Sequence, residues 1–335
     1  MPIYKGTSEI ASGNFYKGSA NIENGYKENN SFYVNTLTFA LDFLVVGGGG
    51  DTLAYGGIYE NPRAGAGAGG FRTSYGSVSG GGASSEPSLS ITTGIVYDVI
   101  VGSSNCKFHT ITSLKGGPGN ANSASAYGGS GGGGWRSGGG PTTSGGAGTA
   151  GQGYAGGSTT GNLRWAQGGG GGASAVGVDG LEYSYGGAGG AGLQATILSN
   201  SQAASAGIGS GSGSAVVSGN YFSGGGAGQS TYSDNGEHMG GYGIGGGGGT
   251  TSGSNYRLAT SFPNSGGGGA IFWDGVTSNT TYGYGATGVV VVRYPNTVTA
   301  TLSNLTEASN SPITDGSDKI TIIKAGTGTI TFESA

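Results

Sequence analysis

Thr38-Phe39-Ala40-Leu41-Asp42-Phe43-Leu44-Val45-Val46-Gly47-Gly48-Gly49-Gly50 changes character at a single bond. Up to Val46 it reads as a strand. Leu37, Phe39, Leu41 and Phe43 alternate with smaller or polar residues, and Leu44-Val45-Val46 then run on as apolar, as in a strand covered on both faces. From Gly47 onward there is no side chain to bury. The reverse junction stands near the other end of the chain, where Gly288 leads into Val289-Val290-Val291-Val292-Arg293-Tyr294, closed by Pro295. Between these junctions glycine clusters recur at 65–70, 80–82, 116–119, 128–134, 138–140, 145–151, 168–172, 186–192, 224–228, 240–249 and 266–269.

The 335 residues include 82 glycines. High glycine without a strict period ordinarily reads as low complexity. Charged residues make up only 9% and aromatics 10%. Disordered chains show the opposite balance, with much charge and few aromatic or β-branched residues. A folded chain is therefore expected. The formal net charge of −4 gives no electrostatic case for nucleic acid. Cys106 is the single cysteine, so an intrachain disulfide is excluded. Residues 1–25 lack the apolar core of a signal peptide, and no apolar run reaches the ~18–20 residues of a membrane span. Synthesis in a cytoplasm without membrane insertion is the expectation.

Glycine runs of this density disfavour α-helix. The geometry left to them is the extended left-handed threefold helix, with about 3.1 Å rise, so that six residues span roughly 19 Å. Its N–H and C=O groups point sideways and must find partners in neighbouring segments. Without Cβ atoms, neighbours can come close enough to supply them. The expected fold is irregular all-β: a bundle or sandwich of polyglycine II helices, clamped by pairing of 37–46 with 289–294. Small β segments stand at both ends. Two further strands are expected at Ile95–Val101 and Cys106–Leu114, and no helix. Tyrosines beside glycine, such as Tyr127, Tyr154, Tyr185 and Tyr242, are expected to lie over glycine backbone.

Three divisions follow. Residues 1–36 carry a loose repeat of Tyr4-Lys5-Gly6, Tyr16-Lys17-Gly18 and Tyr26-Lys27, which suits short strand–turn units. Tyr4, Lys5, Tyr16, Lys17, Tyr26 and Lys27 are the attachment candidates. Residues 37–295 form the glycine-rich domain with recognition loops. Residues 296–335 regain alternation at Ile320, Ile322, Ile330 and Phe332, and read as a small β tail.

Catalytic chemistry is mostly missing. In a strand, Lys107 and His109 share a face and Cys106 points away, so a Cys/His pair is not expected. No HExxH, CxxC or Gly-Lys phosphate loop occurs. A glycosidase needs two apposed carboxylates, whereas Asp51, Glu60, Asp179, Glu182, Asp234, Glu237 and Asp274 are scattered and read as solvated loop charges. No cofactor or metal is expected. The loops carry the functional signal: Tyr55, Tyr59, Trp135, Arg136, Arg164, Trp165, Tyr221, Tyr232, Tyr256, Arg257, Phe272 and Trp273. Aromatic and arginine side chains dominate binding hot spots, and flat rings suit sugar faces. Capping of the bundle ends is the competing role for each ring. If the runs alternate in direction, about half of the loops share one end.

The order of Leu44-Val45-Val46 into Gly47–Gly50, Gly69-Gly70-Phe71-Arg72, Val96-Tyr97-Asp98-Val99-Ile100-Val101-Gly102, Phe108–Leu114 into Gly116-Gly117, and Gly288 into Val289–Pro295 resembles the glycine-rich domains of bacteriophage tail-fibre and receptor-binding proteins. The resemblance extends to the T-even-type fibre-tip adhesins, which are polyglycine-helix sandwiches. It implies a non-enzymatic virion protein, assembled in the host cytoplasm and acting outside the cell. Its partners would be other fibre or tail proteins and a bacterial surface receptor, either a glycan or an outer-membrane protein. A homotrimer, or a cap on a trimeric fibre, is the implied assembly. The alternative is a purely structural fibre or decoration component. An ice-binding protein and a polysaccharide-cleaving enzyme rank below both.

Overall fold

The apolar junction strands build one end of the molecule. The computed structural model describes residues 3–5, 8–10, 36–52, 64–119, 127–135, 142–159, 166–181, 186–209, 219–228, 262–270 and 283–335. At the start, β1 (Ile3–Lys5) and β2 (Ser8–Ile10) pair as an antiparallel hairpin. The strand read from the first junction is β3 (Thr38–Val46), followed by β4 (Phe71–Thr73), β5 (Leu89–Thr92), β6 (Val96–Val101), β7 (Cys106–Phe108) and β8 (Ile111–Ser113). A short pair, β9 (Leu193–Gln194) and β10 (Tyr221–Phe222), flanks helix α1 (Asn200–Ala206). The second junction gives β11 (Val289–Pro295), and the chain closes with β12 (Val298–Glu307), β13 (Ile313–Asp315) and β14 (Asp318–Ser334).

Ten of these strands form one nearly closed sheet in the order β4-β3-β11-β14-β6-β7-β8, with β5 added to β3 and β12 and β13 added to β14. Every pairing is antiparallel. The expected clamp is present, with Val290 opposite Val45 and Val292 opposite Phe43. The segment read as a β tail is woven into the middle of the sheet. β14 pairs with β11 through 318–323 and with β6 through 326–331. The sheet curls until Arg72 on β4 donates from Nη1 to the Thr112 carbonyl on β8 at 3.0 Å.

The run of valines in β11 is apolar on both faces because both faces are buried. Val290 and Val292 join Phe43, Val45, Val99, Phe108, Ile330 and Phe332 inside the curl. Val289 and Val291 face the other way, onto Leu44, Val46, Ile197, Leu198, Ile208 and Phe222. Helix α1 lies in this second layer, contrary to the expectation of no helix. Residues 193–206 escape the glycine density on which that expectation rested. Ser199 caps the helix by accepting from the Gln202 N–H, Gln202 returns the bond to the Ser199 N–H, and Gly207 closes the other end at φ 65°. The expected strand Cys106–Leu114 is two strands, because His109 turns the chain at φ 51°.

Above the sheet stand the glycine segments. Their backbone bonds do not alternate left and right, as a sheet strand's do. Along 64–70 the donors turn through three neighbours in succession. Gly65 and Ala68 donate to Gly168 and Gly171, Ala66 and Gly69 to Gly269 and Gly266, and Gly67 and Gly70 to Gly117 and Leu114. The carbonyls of the same segment accept from three others: Gly133 and Ser130, then Gly226, then Gly50 and Gly47. The repeat is three residues. An added Cβ at Gly67 would overlap the Ser130 carbonyl oxygen, and one at Gly170 the Ala66 carbonyl oxygen. Buried glycine is what lets a segment be surrounded on all sides by bonded backbone.

Candidate functional site

The glycine layer has two ends, and its bonds tell them apart. At the sheet end the chain passes from Val46 to Gly47, Gly70 to Phe71, Ser113 to Leu114 and Gly288 to Val289. The turn at Gly151-Gln152 is tied there by Phe71 N–H donating to the Gln152 carbonyl, and Ala173 by donation to Ser223. Opposite lies the far end of the layer, with a bonded rim. Thr52 donates to Gly283 and Gly119 to Asp51. Gly133 donates to Gly65, Gly134 to Gly157, and Gly168 to Gly134. Thr159 donates to Thr143, Gly180 to Ser158, Gly187 to Gln167, and Gly228 to Gly187.

The residues that flank 53–63, 136–141, 160–165, 182–185 and 271–282 stand at this far end. Ten of the twelve candidates fall in such intervals or in 229–261, which also begins there at Gly228. These are Tyr55, Tyr59, Arg136, Arg164, Trp165, Tyr232, Tyr256, Arg257, Phe272 and Trp273, and they lie outside the described residues. Arg136 and Trp165 are the covalent neighbours of Trp135 and Ala166, which belong to that end.

Trp135 is half-buried there, its indole Nε1 enclosed and without an acceptor among the described residues. Tyr221 stands apart. It sits in β10 opposite Gln194, at the sheet end beside buried Phe222. Tyr4 and Lys5 lie in β1, opposite Glu9 and Ser8 of β2. Tyr16, Lys17, Tyr26 and Lys27 lie outside the described residues. Of the tyrosines expected over glycine, Tyr154 has its hydroxyl against Gly82, whereas Tyr127 is exposed. Tyr185 and Tyr242 fall outside the described residues.

Two of the carboxylates read as solvated loop charges also make bonds along the rim. Asp51 takes Lys115 Nζ at 2.6 Å on one oxygen and the Gly285 N–H at 3.0 Å on the other. Asp179 Oδ1 accepts the Ser158 N–H at 2.6 Å. Both knit the rim. Cys106 is fully buried, with Sγ toward the carbonyls of Gly102 and Ser104. Burial pushes its thiol up to about 11, outweighing the lowering by backbone hydrogen bonds. At neutral pH it is a protonated core residue, while His109 packs edge-on against Tyr97 with centroids 5.0 Å apart. Among the described residues no group of three His, Cys, Asp or Glu side chains is placed to hold a metal ion. No helix among them is long and apolar enough to cross a membrane.

One polar cluster escaped the sequence reading. Arg72 holds Glu86 through Nε at 2.7 Å, and Nη2 completes the pair. Gln152, nine-tenths buried, accepts the Leu114 N–H on Oε1 at 2.8 Å. A lone glutamine between Gly151 and Gly153 was the available signal. Its side chain crosses the Cα of Gly70, which has room for it only because residue 70 has no Cβ.

No curated protein and no solved structure matches this chain. A described family does: glycine-rich domain, over residues 27–295, from ahead of β3 to the last residue of β11. With that span taking in both apolar junctions and all the glycine segments between them, the chain belongs to the glycine-rich domain family.

Proposed function

We propose that this chain is a bacteriophage tail-fibre or appendage protein that grips a host-cell surface receptor, without catalysis. The gripping groups are aromatic and arginine side chains at the far end of the glycine layer. The observation carrying this reading is the convergence at that end. Most of the candidate positions lie in intervals whose flanking residues both stand on one rim, opposite a sheet that rigidifies the base. Binding loops held by a rigid scaffold are a common division of labour. The receptor is a surface glycan or an outer-membrane protein, and the partners at the other end are fibre or tail proteins. The site of action is the virion.

The same reading assigns the glycine segments to polyglycine II. The threefold turning of the donors along 64–70 supports it, because a left-handed extended helix has three residues per turn. Alternation with period two would argue for strands.

Adsorption tests the function. Fluorescently labelled protein should bind susceptible bacteria saturably and block phage adsorption. Trp135→Ala, Trp165→Ala and Trp273→Ala combined should lower that binding at least about tenfold, as loss of aromatic hot spots does, while the dichroism spectrum is unchanged. A folded, assembled protein that neither binds the cells nor competes with phage would make the chain a structural component of the fibre. Release of reducing sugar from host polysaccharide would overturn the non-catalytic part.

A further inference from the structure

A cleft of about 300 Å³ opens at the sheet end, between the turn at Ala150–Gln152 and the loop that carries Ser79 to Glu86. Polar side chains, Gln152 and Glu86 among them, share its lining with the methyl groups of Ala83 and exposed Ala150. The loop and the turn meet at Gly80, where an added Cβ would run into the Gln152 carbonyl oxygen, and the cleft lies beside that contact. Gln152 is the decisive residue. Its carbonyl oxygen is engaged by Leu114, while its Nε2 donors have no partner among the described residues and belong to a side chain lining the cleft. A primary amide held by its oxygen presents its N–H groups in a fixed direction. Beside it, Arg72 and Glu86 form an ion pair, both partly exposed, with Arg72 Nη1 also donating to the Thr112 carbonyl.

We infer that this cleft binds one neutral sugar unit. The charges cancel within the Arg72–Glu86 pair, so no net charge attracts an anion or a cation. Fixed donors stand beside fixed carboxylate acceptors, and vicinal hydroxyls, each donor and acceptor at once, satisfy both. The volume lies at the small end of ligand sites, matching a single ring and not a larger ligand. The methyl groups of Ala83 and Ala150 in the lining suit the C–H face of a pyranose. This site lies across the molecule from the far rim, so it stands whether or not the rim binds a receptor.

The test is a titration of isotope-labelled protein with D-glucose, D-galactose or N-acetyl-D-glucosamine, watching the Gln152 side-chain amide. At least one sugar should shift it saturably, with a dissociation constant of roughly 1–10 mM, as expected for a small open site. Sodium sulfate should leave it unmoved. Ala150→Phe, an exposed position, should fill the cleft and weaken binding by about tenfold or more, while the remaining amide spectrum is unchanged. Gln152→Glu keeps the acceptor for Leu114 and removes the donors, and in that variant the backbone amides of Ala150 and Gly151, which should shift with sugar in the wild type, should no longer move. A Gln152 amide unmoved by all three sugars overturns the inference, and so does a response equal in wild type and Ala150→Phe. Cell binding at the far rim is unaffected by Ala150→Phe, so the two readings fail separately.

Discussion

At the residue scale the glycines divide into those the layer cannot replace and those it can. Gly170 donates to Gly226 and accepts from Gly190, and an added Cβ would run into the Ala66 carbonyl. The intruding atom meets backbone, which has no rotamer to yield. Gly102, by contrast, has nothing within 4 Å of where a Cβ would sit and no positive φ. Gly170→Ala should therefore cost about 3 kcal/mol or more, at or above the upper range for overpacking, and Gly102→Ala should fall within about 0.5 kcal/mol of wild type. Urea denaturation of both variants measures the difference. Equal stabilities would mean that the layer is looser than its bonds imply. The same distinction explains why alanine is accepted at Ala66 and Ala68, which are fully buried, while Gly67 between them has no such room.

At the scale of elements, the junction strands were legible because both hydrophobic signals coincide there. β3 alternates and then runs on, and the structure covers its last residues on both faces. β11 is a continuous valine run with a core on each side. Helix α1 was not legible from the composition of the whole chain. Its signal was local, in the Ser199–Gln202 box and Gly207. The break in Cys106–Leu114 was hidden because His109 is not a residue that announces a left-handed turn. For the site, the aromatic inserts were visible, but which end of the layer their flanking residues reach was not, since that depends on which way each glycine segment runs. The outermost segment makes the lateral bonding testable. On it Gly177 and Gly180 are buried and donate to Ala155 and Ser158, whereas Val176 and Asp179 are exposed and donate to no described partner. Hydrogen exchange should show the amides of Gly67, Ala68 and Gly170 protected close to the global limit, and those of Val176 and Asp179 exchanging at near-coil rates. Uniformly fast exchange would remove the laterally bonded layer, and with it the polyglycine II proposal.

At the scale of the whole molecule, the family match and the folded unit do not end together. The match stops at residue 295, while β12, β13 and β14 follow it and complete the sheet. β14 is an interior strand, joining β11 to β6 and supplying Ile323, Ile330 and Phe332 to one core and Ile320 and Ile322 to the other. It also reaches the glycine layer directly. Asn264, at the foot of the segment 266–270, donates from Nδ2 to the carbonyls of Gly288 and Lys324 at 2.7 and 2.6 Å. A glycine layer buries little apolar surface of its own, and ordering glycine costs more backbone entropy than ordering any other residue. Its stability must come largely from the sheet that anchors its ends. A chain ending at Asn296 keeps every glycine segment and both junction strands but loses this interior strand, and it should not fold: the slow amides of Gly67 and Gly170 should become fast and the near-ultraviolet dichroism should vanish. If those amides stay protected, the lateral bonds of the glycine segments suffice without the completed sheet, and the layer is an autonomous unit to which the closing strands were merely added.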